Sequence, residues 1–142
     1  MIRFFFIFFV FYNIYAQDEA KRITQEKFYT EKKLFMLNEL ELDEDVEKKF
    51  WEIYIKFDSQ RLILSREIAL TNRKLLKNKI IEDFEIQKLI KKSYDNGSKS
   101  LQLKNTMMLE LSKIIDNVNL VKLQSVELKF RQQMILRSKN SK

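Results

Sequence analysis

The sequence predicts an all-α protein built on a long antiparallel helical hairpin with shorter flanking helices. Three observations lead there. One glycine and no proline in 142 residues leave almost nothing for tight turns, bulges or strand ends. Apolar residues recur at spacings of three and four over long stretches, the period of a helix face. Between those stretches fall clusters of Asp, Asn and Ser, the residues that cap helices. With 45% hydrophobic residues, the length suits one domain with one modest core.

The opening joins Arg3 to an apolar run from Phe4 to Tyr12 and then reaches Asn13-Ile14-Tyr15-Ala16. This is the pattern of a secretory signal, with cleavage expected near Ala16. The run is about half the roughly 20 apolar residues a membrane span requires. Residues 1–16 are therefore expected to be removed on export to the periplasm, leaving a helical domain over 17–137 and a polar, disordered tail over 138–142.

Asp18 to Leu37 reads as a first helix, acidic at its start, with Ile23, Phe28, Phe35 and Leu34 or Leu37 at near-helical spacing. Asn38 can close it and Asp43 can open the next. From Asp43 to about Asn78, Val46, Phe50, Ile53, Phe57, Leu64, Ile68 and Leu75 hold one face of a long amphipathic helix, and Asp58 lies away from it. A reversal near Lys77 to Glu82 makes a hairpin.

The next run places Ile86, Ile90, Tyr94, Gly97, Leu101, Met108, Leu111 and Ile115 on one face, long enough to lie along the preceding helix. Asp95-Asn96-Gly97-Ser98 is a local turn signal that would split this helix. Continuity is the preferred reading, because the stripe keeps its phase across Gly97 and a helical Gly costs only about 1 kcal/mol. A glycine on the buried face would also admit a close neighbour. Asp116-Asn117-Val118-Asn119 is the last cap-rich break, and Leu120, Leu123, Val126, Phe130 and Met134 continue a final helix to about Arg137.

Charge and composition bound the chemistry. With no His and no Cys, the chain lacks the usual metal ligands, the general base suited to neutral pH and the thiol nucleophile, so an enzyme, a metal site and a cofactor are not expected. A lipoprotein, which needs a Cys, is excluded on the same ground. The net charge is +7. Lys113 to Lys142 carries seven basic and two acidic side chains, which suits acidic proteins or anionic lipid head groups. The stronger reading of that excess is an AT-rich coding sequence, which the Lys, Ile, Asn and Phe bias also fits. Nucleic acid is a poor partner, given export and the absence of a reader motif.

The most specific local pattern is Leu40-Glu41-Leu42-Asp43-Glu44-Asp45-Val46-Glu47-Lys48-Lys49-Phe50-Trp51-Glu52-Ile53-Tyr54, a capped helix start followed by an aromatic cluster. It resembles the Bacteroidota proteins described as sensors of ECF-type sigma factors, small exported helical proteins in which a Leu and a capping residue precede a Phe-Trp-x-x-Tyr helix. The resemblance extends over most of the mature chain, but only Phe50, Trp51 and Tyr54 are distinctive. Those proteins in turn look like distant relatives of the Spy and CpxP periplasmic stress proteins, whose Leu-Thr-x-x-Gln motif caps a helix in a cradle-shaped dimer. Leu42 and Asp43 match the Leu and the cap, whereas Val46 replaces the Gln and the second copy is reduced to Asn119-Leu120. Zinc-binding members of that wider group use His or Cys, which this chain lacks.

What the resemblance implies is a homodimeric, non-enzymatic protein of envelope-stress type, binding unfolded clients or reporting stress through an apolar surface. Phe50, Trp51 and Tyr54 are expected to fill the core, with Trp51 placed where it would also serve as a binding anchor. Met107, Met108 and Met134 are either core filling or an adaptable client surface. Lys129, Arg131 and Arg137 are candidate partner contacts on the basic helix. The competing reading is a structural or tethering protein packed on a membrane protein or an anionic membrane surface.

Overall fold

The computed structural model describes residues 24–77 and 82–140. The expected signal segment and cleavage near Ala16, the first residues of the expected first helix and Asn78 lie outside the described residues. Among the described residues the regular structure is helical and there are no strands. The four helices are α1 over residues 24–40, α2 over Glu44–Lys77, α3 over Asp83–Leu111 and α4 over Asn117–Asn140. They divide into two compact units, Leu42–Gln124 and Met1–Glu41 with Ser125–Lys142.

In the first of these units α2 begins where the Asp43 carbonyl accepts hydrogen bonds from the Val46 and Glu47 amides, at 2.8 and 3.0 Å. Glu44, Asp45 and Glu47 in its first turn and Lys74 and Lys77 in its last complement the helix dipole. Glu82, in extended conformation, opens α3 in the same way, its carbonyl accepting from Glu85 and Ile86. Lys74 pairs with Glu85 at 3.0 Å, Ser93 donates to Asn72 at 3.4 Å, and Asn96 donates to Glu67 at 3.0 Å. One number falls as its partner rises, so α2 and α3 pack antiparallel.

Near the open end of the pair, Phe50, Tyr54 and Phe57 of α2 and Met107 and Leu111 of α3 are buried. Phe50 and Trp51 both stack on Tyr54, with ring centroids 5.7 and 5.6 Å away. Burying an apolar side chain of this size contributes about 1.5–3 kcal/mol, so this end is where α2 is secured. Asp58, expected on the solvent side, is buried beside Arg61, 3.7 Å away, where an ion pair compensates its burial.

α3 runs unbroken through Gly97, as its apolar phase predicts. The expected reason for that glycine does not hold, because a Cβ there would meet nothing within 4 Å and no neighbour approaches closely. The inner face also differs from the predicted stripe. Ile90, Tyr94 and Leu101 are exposed, while Ile86, Leu89, Ser93, Asn96, Ser100, Leu103 and Met107 are buried or half-buried at spacings of three and four. Apolar periodicity places Ile86, Leu111 and Ile115 inward correctly but misplaces Ile90, Tyr94 and Leu101, because three of the inward positions in that stretch are polar.

After Leu111 the chain makes tight turns in which the Ile114 and Ile115 amides both donate to the Leu111 carbonyl. Asp116 then caps α4, its Oδ1 accepting from the Asn119 amide at 2.7 Å, which places a side-chain cap in the expected break. Ile115 and Leu123 add to the buried set of this unit.

In the other unit α1 buries Tyr29, Lys32, Met36 and Leu40, while Leu34 is exposed. Of its predicted face, Phe28, Phe35 and Leu37 are half-buried, and the most buried positions lie part of a turn away. Phe28 and Phe35 both meet Phe130 of α4 edge-on or tilted, at 5.6 and 5.5 Å between centroids. Glu39 pairs with Lys129 at 2.9 Å and Glu31 with Arg137 at 3.0 Å, so these two helices also run antiparallel. α1 continues past Asn38 to residue 40, and Glu41 then adopts a positive φ of 53°, the left-handed conformation that ends many helices. α4 reaches Asn140 rather than ending near Arg137, and the Ser138 hydroxyl folds back onto the Ile135 carbonyl. No described helix is long and apolar enough to cross a membrane.

Candidate functional site

The α2–α3 pair presents two unlike flanks. On one, side chains of both helices border an open cavity of about 530 Å³, with Ile63, Leu64 and Leu103 as its apolar floor and Gln60, Lys99, Gln102 and Thr106 around it. Leu64 and Lys99 also border a second cleft of about 960 Å³, which runs on towards the tip past Glu67, Asn96, Lys92 and Phe84. The two together form a groove that is apolar near Leu103 and charged near Glu67.

Glu67 is the electrostatic centre of that groove. The Asn96 amide donates to it at 3.0 Å and the Lys92 ammonium lies 3.5 Å from the same oxygen. The Asn96 hydrogen bond first, and the Lys92 charge second, hold its carboxyl below the usual glutamate value. Both partners sit on α3 because Lys92 and Asn96 are four residues apart and share a face.

The other flank of α3 carries Ile90, Tyr94 and Leu101, which are 41, 76 and 60% exposed. They lie four and seven residues apart and so form one row on the helix surface. An apolar row on one flank, and on the other a groove rimmed by lysines, can each hold extended or loosely folded polypeptide, by area or by charge, without bond chemistry. Among the described residues no group of three or more His, Cys, Asp or Glu is placed to hold a metal ion.

The residues singled out in the sequence scatter. Phe50 and Tyr54 are core, Trp51 is half-buried against Tyr54, and Leu42 and Asp43 mark the start of α2. Met107 is fully buried and so cannot belong to a client surface; Met108 and Met134 are half-buried. Lys129 and Arg137 point at acidic partners on α1, while Arg131 is exposed. Sequence reasoning missed Glu67 and Asn96. Admitting Ser and Asn to the inner row, from Ile86 through Ser93, Asn96 and Ser100 to Met107, would have revealed the seam.

Comparison of the chain with protein-family models, with curated proteins and with solved structures finds no match.

Proposed function

We propose that this is an exported, non-enzymatic helical protein of envelope-stress type that binds unfolded polypeptide, or reports its presence, through the flanks of the α2–α3 pair. The reading combines the signal-like opening and the resemblance of the Leu42-to-Tyr54 segment to sigma-factor sensors and Spy/CpxP proteins with the surface of the hairpin. In it the protein works as a cradle-like homodimer without cofactor, and its partners are unfolded or membrane-associated proteins rather than nucleic acid. The single observation that supports it most is the row Ile90, Tyr94 and Leu101, exposed on a helix whose inward face is partly polar. Exposed apolar side chains are common singly, but an aligned row offers another chain several apolar contacts on one side.

The test is suppression of aggregation of a reduced, unfolding model protein at substoichiometric to equimolar ratios. The wild-type protein is expected to suppress it and the Tyr94→Ser, Leu101→Ser double variant to lose most of that effect. No suppression by the wild type, combined with capture of one membrane protein in cells, would leave the tethering reading in its place.

A further inference from the structure

α4 is apolar on two opposite sides. Val126 and Phe130 are buried, whereas Leu128, Ile135 and Leu136 are 53, 49 and 59% exposed. At 100° per residue, Leu128 and Ile135 lie about half a turn away from Phe130, with Arg131 on one side of them and Lys139, Gln132 and Leu136 in turn on the other. From Lys129 to the end of the chain there are five basic residues and no acidic one. Lys129 and Arg137 are engaged with Glu39 and Glu31 of α1, which leaves Arg131 and Lys139 as the cations of the outer face.

We infer that this outer face of α4 docks on an anionic lipid surface, with Leu128, Ile135 and Leu136 entering the head-group layer and Arg131 and Lys139 pairing with lipid phosphates. Charge decides against a second copy, because two such faces would bring Arg131 and Lys139 against their own kind, with Glu127, one turn before Arg131, as the only carboxylate of α4 to offset them. Area decides against a folded protein partner. Three apolar side chains on one convex helix fall well short of the roughly 800 Å² per partner of a stable interface. A lipid surface needs no matching shape, and its attraction grows with apolar area and with each cation near it. The inference concerns a different face from the hairpin groove and stands independently of client binding.

The experiment is flotation of the full chain with vesicles of phosphatidylglycerol and phosphatidylethanolamine, against vesicles of phosphatidylcholine alone. The wild type is expected to float with the anionic vesicles and to release as salt is raised. Arg131→Glu with Lys139→Glu is expected to weaken this by about thirtyfold or more, with unchanged helical circular dichroism. Leu128→Ser with Ile135→Ser tests the apolar half and should weaken binding at every salt concentration. Attachment through the apolar run at Phe4 to Tyr12 would persist in all these variants, so the difference from wild type is the measurement. A difference between wild type and the charge-reversed variant that is the same on both vesicle types, or no difference at all, overturns the inference. So does tight binding to soluble polyglutamate with none to vesicles, which would assign the face to an acidic protein. Loss of vesicle binding with aggregation suppression intact, or the reverse, separates this proposal from the client-binding one.

Discussion

Towards the open end of the hairpin, α2 offers Phe50, Tyr54 and Phe57, and α3 offers Met107 and Leu111, all buried. Towards the tip, the same two helices offer each other Asn72, Ser93, Glu67 and Asn96, joined by hydrogen bonds, with ion pairs from Lys92 to Glu67 and from Lys74 to Glu85. The difference is one of cohesion. Apolar burial contributes a few kcal/mol per large side chain, whereas an exchanged hydrogen bond nets about 1 kcal/mol and an exposed ion pair less. The two halves share a length and a direction but not a strength, and the row Ile90, Tyr94 and Leu101 lies mostly along the weaker one.

The sharpest way to break that contrast is to hollow out the strong half. Tyr54→Ala removes a fully buried ring and is expected to lower unfolding free energy by about 3–5 kcal/mol, read from urea denaturation. A loss below about 1 kcal/mol would mean the aromatic cluster does not hold the pair together. In the weak half, Asn96→Ala takes one donor from Glu67 and is expected to cost about 1–2 kcal/mol. Amide exchange should speed up on both sides of the tip while protection near Phe50 is unchanged.

Gly97→Ala should act in the opposite direction. With open space where a Cβ would stand, the substitution adds helix propensity without a clash, and a gain of up to about 1 kcal/mol is expected. A loss would show that the helix needs the glycine. The smallest effect is one of pH. Glu67 is held below its ordinary range by Asn96 and Lys92, so its contribution is present above the unfolded glutamate value and is lost as pH falls through the folded one. The stability difference between wild type and Glu67→Gln should be constant above about pH 6 and shrink as pH drops below about 4. A difference that widens in acid would mean that the carboxylate is not the stabilised form.

The same contrast explains what could be read in the sequence. Helical class, the breaks near Asp43 and Asp116, the continuity through Gly97 and the inward placing of Phe50 and Phe57 all follow from spacing and capping, which are local. The α3 face does not, because its inner row mixes Leu103 and Met107 with Ser93, Asn96 and Ser100, and only the facing helix makes those polar residues the better choice. Tyr94 and Leu101 look like core to any rule that equates apolar with buried. The likeness drawn on Leu42, Asp43, Phe50, Trp51 and Tyr54 stays an argument from motif, and the groove beside Leu64 and Lys99 was not legible because its walls come from two helices.

The bond from Asn96 to Glu67 has a consequence for how the two rods are aligned. Greasy seams tolerate sliding, since one leucine serves nearly as well as the next, but a directional bond between two particular side chains does not. Slipping α3 by one turn, about 5.4 Å, would bring Ser100 alongside Glu67, with a hydroxyl too short to make the same reach. The polar stretch contributes little glue and yet acts as a detent, fixing which rung of one helix stands opposite which rung of the other.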